Sequence, residues 1–257
     1  MILFPAMGPS QTSEAIILRT RPYGESDKIV TFLTDDAGKL TGIAKGAKNS
    51  RRRFANCLDP FTWVRAHFRN RPGASMVFME SCDLLKPAGA LSEPAKFAYG
   101  SYLVELVDQF TGEAHPVSDI YGLLREALDE LRHAAATAVF LRTFELRLLH
   151  HAGYDPQLTT CARCRRPLGA SERAFLDTEH GSVACPDCRS RNQSLVSVSG
   201  ETLATLEAIK SAPLANAGHH RFSAAMTAEA AQVMGYLMEQ HLSRPLRSVK
   251  LIAALSR

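Results

Sequence analysis

Two Cys-x-x-Cys pairs, Cys161–Cys164 and Cys185–Cys188, stand 20 residues apart in a chain of 257, and no other feature limits its folding as strongly. Two residues between ligands let both thiolates of a pair turn toward one ion, and two such knuckles complete a tetrahedron. The expected centre is one structural zinc per chain, held by Cys161, Cys164, Cys185 and Cys188. Four sulfurs leave no open position for water, so no catalysis is expected from this ion. His180 offers a further ligand, but four thiolates suffice. A tetrathiolate zinc is net negative, and Arg163, Arg165, Arg166 and Arg189 lie beside the ligands. They are expected to offset that charge rather than to meet an outside anion.

The other two cysteines, Cys57 and Cys82, stand in apolar, strand-like surroundings and are expected as small core residues. The start, Met1 to Gln11, is apolar, uncharged and without the basic n-region of a secretory signal. Residues 1–12 read as a loose arm or an over-long gene start. A reducing cytoplasm is therefore the expected compartment. No apolar run approaches the ~20 residues that span a bilayer, so no membrane partner is expected. At 46% hydrophobic and 22% charged, the composition is that of a folded protein rather than a disordered one.

Charge is unevenly placed. Between Ser13 and Asp83 there are 12 Lys and Arg against 8 Asp and Glu; from Leu84 onward the tally is 18 against 18. The whole net charge of +4 thus sits in the first third. Its focus is GKLTGIAKGAKNSRRRF, where Lys45, Lys48, Arg51, Arg52 and Arg53 carry no acidic residue among them. Cations so close repel one another unless they face open water or a polyanion, and nucleic acid is the simplest such partner.

Around this stretch the chain alternates short β-rich runs with turn residues. The expected strands are Ser13–Arg19, Lys28–Thr34, Lys39–Ala44, Pro60–Phe68 and Ser75–Asp83, with Tyr23 to Asp27 as a turn. Five short strands in about 70 residues suggest a small barrel, an oligonucleotide/oligosaccharide-binding (OB) fold being economical and an SH3-like barrel nearly as good. Phe32, Phe61, Trp63 and Phe68 are expected mainly as barrel core, with base stacking as their functional alternative. From Ser92 the period becomes helical: a helix is expected to start at Ser92-Glu93-Pro94, repeat its apolar face from Tyr99 to Phe110 and end at Gly112 and Pro116, and others are expected from Ser118, over Thr137–His151, Gly200–Lys210 and Ala224–Leu242, with a short one in the tail. The expected fold class is multi-domain β + α. An N-terminal OB-fold β-barrel (13–84) precedes an all-α helical domain (92–257), which carries the four-cysteine zinc module (158–192) as an insertion.

There is no GxxxxGK[ST] phosphate loop, GxSxG elbow, HExxH or DxD-type carboxylate pair. His150-His151 and His219-His220 are adjacent pairs, and neighbouring helix residues diverge, so neither forms a shared metal face. Asp35-Asp36 suits a turn better than an Mg²⁺ site. The chain is not expected to be an enzyme.

In AIILRTRPYGESDKIVTFLTDDAGKLTGIAKGAKNSRRRF, in the strand ending ESCDLL and in LLHHAGYDPQLTTCARC, the chain resembles the bacterial recombination-repair RecO family. The resemblance runs from Ser13 nearly to the end; residues 1–12 depart from it. It implies an OB domain, a helical domain, and binding of single- and double-stranded DNA with annealing of complementary strands. It also implies work with RecR and RecF to load RecA onto strands coated by single-stranded-DNA-binding protein, whose acidic C-terminal tail docks on the helical domain. Such a protein is cytoplasmic and nucleoid-associated. Lys45, Lys48, Arg51, Arg52 and Arg53 match the family's DNA-contacting region, with Arg19 and Arg21 as additions. Some members lack the cysteines, so zinc is an expectation of this sequence more than of the family. Two rival readings are a peptide-binding adaptor that recruits RecR without annealing, and a metal-dependent nuclease, for which clustered carboxylates are missing.

Overall fold

The computed structural model describes residues 8–71, 73–178, 181–189 and 195–255. The apolar run Ala15-Ile16-Ile17-Leu18 lies in one long strand, β1 (Ser10–Tyr23), with a register shift between Ile17 and Arg19. It pairs antiparallel with β2 (Asp27–Thr34) on one side and with β4 (Trp63–Arg69) on the other. β3 (Gly38–Ala44) follows β2, and β5 (Val77–Lys86) runs antiparallel to β4 and parallel to β3. The strands close as a barrel in the order β1-β2-β3-β5-β4.

Alternate side chains of each strand point inward, as a period of two requires. Ala15, Ile17, Val30, Phe32, Val64, Ala66, Phe68, Val77 and Met79 form one buried cluster. Phe32 and Phe68 meet edge to face, centroids 5.9 Å apart, and each contributes about 1.5–3 kcal/mol by burial. Cys57 and Cys82 fill the same core; Cys57 Sγ donates to the Cys82 carbonyl at 3.3 Å, and burial pushes the Cys82 thiol up to about 12. The β2–β3 reversal has a demanding geometry. Thr34 Oγ1 donates to the Gly38 carbonyl at 2.8 Å and accepts from Ala37 N–H at 2.9 Å. Gly38 has φ +72, and a Cβ there would stand 1.9 Å from the His115 carbonyl oxygen. Both the left-handed backbone and the contact demand glycine.

The first strand corrects the expected arm. Ser10, Gln11 and Thr12 are not loose: they pair with Arg69, Phe68 and His67, so the barrel begins three residues before Ser13. The part of the arm over 1–7 lies outside the described residues, as does His180. Tyr23 and Asp27 are likewise strand ends, paired across a turn that is only three residues long.

The chain divides into two compact units, Met1–His133 with Leu246–Arg257, and Ala134–Pro245. In the first, α1 (Pro94–Phe110) and α2 (Ser118–His133) accompany the barrel, and Pro94 at the helix start costs no hydrogen bond. Trp63 donates its indole N–H to Tyr121 Oη at 3.0 Å, with the Arg125 guanidinium 5.1 Å from the Trp63 ring centroid. Phe97 meets the buried Phe61 edge-on at 5.6 Å. The short α6 (Val249–Leu255) is tied to α1 by Glu105, which accepts from the N–H groups of Arg247 and Ser248 and from the Ser248 hydroxyl. Those N–H groups otherwise lack partners at a helix start.

In the second unit, α3 (Ala138–His151) is apolar nearly all round; Val139, Phe140, Phe144, Leu146, Leu148 and Leu149 are buried. Thr137 caps it by accepting from Phe140 N–H at 3.2 Å. α4 (Gly200–Lys210) and α5 (Ala224–Glu239) pack with it. Two expectations need correcting here. This half is not all-α: β6 (Arg173–Asp177), β7 (Ser182–Ala184) and β8 (Leu195–Ser199) form a three-stranded sheet in the order β7-β6-β8. Strands of five, three and five residues are too short to show a period. Nor do the helices of 92–257 form a single body: α1, α2 and α6 belong to the barrel's unit and α3, α4 and α5 to the other.

Glu229 on α5 ties the sheet to the start of α4. It accepts from Ser199 N–H (3.1 Å), Ser199 Oγ (2.5 Å) and Thr202 Oγ1 (2.6 Å), with Arg173 at 3.3 Å. Burial pushes its carboxyl up, but the Ser199 and Thr202 donors outweigh burial and hold it below the ordinary range. A carboxylate with a depressed folded pKa stabilises fully above its unfolded value, about 4.3, and loses that contribution as pH falls through the folded value. Glu229→Gln is therefore expected to lower the thermal midpoint at pH 7 and to lose less than wild type between pH 5 and 3. Parallel melting curves across that window would refute the anchoring role.

Candidate nucleic-acid interface and metal centre

The basic stretch leaves the barrel where β3 ends. Gly46 turns the chain with φ 67, and Ala47–Asn49 forms a single 3-10 turn. Ala47 and Phe54 are buried in the barrel core, and Ser50 Oγ accepts from Phe54 N–H at 3.2 Å. The segment is thus fastened at both ends by apolar anchors; Lys48, Arg51, Arg52 and Arg53 lie between them, and Lys45 stands two residues before Ala47. Lys45, Lys48, Arg51, Arg52 and Arg53 are all exposed.

The segment is also fastened to the β1–β2 turn. Lys48 N–H donates to the Ser26 carbonyl at 2.9 Å, Lys48 Nζ to the Gly24 carbonyl at 2.7 Å, and Gly46 N–H to Asp27 Oδ1 at 2.8 Å. The Gly46 N–H, then Ser26 Oγ–H and the charges of Lys45 and Lys48, hold the Asp27 carboxyl below its usual range. Arg53 donates to the Lys45 carbonyl at 2.8 Å and lies over the Phe54 ring, 5.2 Å from its centroid.

Four other cations of the barrel have carboxylate partners: Arg65 with Glu14, Arg69 with Glu80, Lys39 with Asp108 and Lys86 with Asp129. Among the described residues, none of the five loop cations is in an ion pair. Unpaired positive charge is therefore gathered at this edge. Arg21 is exposed on β1 as well, whereas Arg19 is partly engaged, 3.8 Å from Asp108 and 3.5 Å from Thr31 Oγ1. Phe32, Phe61 and Phe68 are buried, and Trp63 lies under Arg125 and Lys86, so these four serve as packing. Tyr23, assigned to a turn on its glycine neighbour, is half exposed at the strand end beside the loop.

In the second unit Cys161, Cys164, Cys185 and Cys188 come together with their sulfurs all within 4.8 Å of one another. Cys164 and Cys185 are 3.8 Å apart, which matches the ~3.8 Å edge of a tetrahedron with Zn–S bonds of ~2.3 Å. The two knuckles are joined by Ala162 N–H donating to the Val183 carbonyl at 2.8 Å. Arg165, with φ 64, closes the first turn by donating to the Cys161 carbonyl at 3.0 Å. Cys161 is fully buried; that burial pushes its thiol up, but N–H groups of Cys164, Cys185 and Arg163 bring it down to about 6. A sulfur surrounded by N–H donors suits a thiolate ligand, so the donor set fits a structural metal.

Of the four neighbouring arginines, Arg166 does what was expected. It makes a two-pronged pair with Glu172, both at 2.9 Å, and donates to Cys185. Arg189 lies instead over Phe175, 5.0 Å from the ring centroid. A cavity of about 460 Å³ opens beside the cluster, lined by Tyr154, Arg165, Gln240 and His241 among others. The Tyr154 and His241 rings stack there at 3.7 Å. Among the described residues no helix is long and apolar enough to cross a membrane.

A closed barrel with a basic edge, followed by a helical part bearing a tetrathiol cluster, defines a two-part β-plus-α protein. The family model described as "Recombination protein O N terminal" matches residues 7–88, and "Recombination protein O C terminal" matches residues 91–250. The chain is 34% identical over 232 residues to the DNA repair protein RecO of Anaeromyxobacter dehalogenans, covering 90% of this chain and 91% of the relative. It is 33% identical over 241 residues to that of Myxococcus xanthus (93% and 96%), and 30% over 248 to that of Syntrophus aciditrophicus (95% and 96%). The chain belongs to the RecO family of DNA repair proteins.

Proposed function

We propose that this protein is a DNA-binding mediator that brings complementary single strands together in recombinational repair and helps load RecA onto coated strands. The observation that carries the reading is the basic edge, five exposed cations without ion pairs among the described residues, on a segment anchored by Ala47 and Phe54. We read the barrel as an OB fold, supported by its closed β1-β2-β3-β5-β4 order and the parallel β3–β5 pair. Lys45, Lys48, Arg51, Arg52 and Arg53 hold phosphates, with Arg21 extending the track and Arg19 contributing less because Asp108 shares its charge.

Annealing forms no covalent bond. It needs only a lower electrostatic barrier between two polyanions, and fixed cations with few competing carboxylates supply that. The protein acts as no enzyme in this reading. The cysteine cluster holds one structural zinc, which organises the module and takes no part in catalysis. RecR, RecF and the tail of the single-stranded-DNA-binding protein are the protein partners, in the cytoplasm.

The adaptor reading draws on the cavity beside the cysteine cluster, large enough for a few peptide side chains and provided with Arg165. One assay separates the possibilities: labelled complementary strands with Mg²⁺, with and without coating protein, across salt. Pairing that accelerates with protein and weakens with salt supports annealing; shortened products indicate a nuclease. No pairing and no DNA affinity leaves the adaptor.

A further inference from the structure

We propose that Tyr23 is a stacking platform for an unpaired base, so that the basic edge favours single strands over duplex. This rests on the reading of that edge as a nucleic-acid surface and specifies what it recognises. Among the described residues, the other barrel aromatics are less open to solvent. Phe32, Phe54, Phe61 and Phe68 are buried, Trp63 is covered and hydrogen-bonded, and Phe78 is partly buried on β5. Tyr23 is 51% exposed.

A lone exposed tyrosine is ordinary; its position is what carries weight here. Tyr23 closes the β1–β2 ladder against Asp27. The residue after it, Gly24, accepts the Lys48 ammonium, and its partner Asp27 accepts Gly46 N–H. Consecutive Cα atoms are ~3.8 Å apart, so the ring is rooted within about one residue of two hydrogen bonds to the basic segment. Arg21 and Arg19 precede it at spacings of two and four, on the same face of the strand. One face therefore presents two cations and then an aromatic ring, leading to the five cations of the loop. Cations attract the phosphates of single strands and duplex alike. Bases within a duplex are stacked on each other and offer only their edges, whereas an unpaired base offers a face to a ring.

The test measures binding of the full chain to three probes of equal length at fixed salt: oligothymidine, an abasic oligomer and blunt duplex. Tyr23→Ala is expected to weaken oligothymidine binding roughly tenfold, while abasic and duplex binding change less than about twofold. Tyr23→Phe should bind as wild type, and Tyr23→Leu as the alanine variant, all with unchanged thermal midpoints. Equal losses on all three probes, no loss on oligothymidine, or a Phe variant as weak as Ala overturns the stacking role. Salt-dependent wild-type binding with an unaffected Tyr23→Ala sinks stacking alone. Wild-type binding without salt dependence sinks the nucleic-acid surface itself, and this inference with it.

Discussion

Cys161→Ser and Cys185→Ser are each expected to lose the metal and to unfold the cysteine module. Both sulfurs are buried with Ala184 in a small cluster that has Leu168 and Cys188 at its margin. The surrounding sheet has strands of five, three and five residues, and so small a body cannot offset its own chain entropy by burial. The proposed zinc would close that gap, since apparent binding free energies are about 10–16 kcal/mol in small zinc peptides at neutral pH. Metal analysis of wild type should give one zinc per chain, falling well below that in either variant. Limited proteolysis should cut between Cys161 and Cys188 in the variants and in chelated wild type, but not in metal-loaded wild type. Purified protein without metal that resists cleavage equally would refute a structural role.

Why the module's metal-binding logic was readable while its sheet was not comes down to range. The spacing of Cys161, Cys164, Cys185 and Cys188 encodes a local geometry, so the cluster followed from counting residues. The sheet depends on pairings such as Phe175 with both Ala184 and Ser197, and strands this short carry no periodic signal. The five barrel strands were legible because each is longer and bounded by turn residues. Their ends were less so: Thr12 pairs with His67 and Pro22 with Lys28, although neither Ser-Gln-Thr nor Arg-Pro-Tyr reads as a strand. Cross-strand partners distant in sequence override weak local propensity.

The basic edge divides in the same way. That Lys45, Lys48, Arg51, Arg52 and Arg53 repel one another was evident from sequence, and so was their surplus over carboxylates. That Arg53 spends one N–H on the Lys45 carbonyl, and that Lys48 reaches across to Gly24, needed the fold. So did the pairing of Arg65, Arg69 and Lys39 with carboxylates. Those pairs leave the loop as the densest group of barrel cations, among the described residues, that no carboxylate neutralises. Sequence tallies count charges; only coordinates show which of them are neutralised.

Replacing Arg51, Arg52 and Arg53 together with alanine is expected to flatten the salt dependence of single-strand binding. Five phosphate contacts give a slope of log affinity against log salt of roughly −3.5, and two remaining contacts roughly −1.4. Extrapolated from about 1 M to about 0.15 M salt, that difference in slope of about 2.1 amounts to roughly fiftyfold weaker binding. Annealing should slow in parallel, because the same cations screen strand from strand. Arg53 also packs over Phe54, so its loss disturbs the segment as well as the charge. The Arg51/Arg52 double variant removes that ambiguity: neither side chain has a hydrogen bond or ion pair among the described residues. Its slope should be roughly −2.1, with binding about fifteenfold weaker at 0.15 M. Arg65→Ala with Arg69→Ala is the matched control. Those cations already face Glu14 and Glu80, and removing them should leave the slope unchanged. A triple variant with the wild-type slope, or a control as weak as the triple, places the phosphates elsewhere: net charge, rather than the position of this edge, would then govern binding.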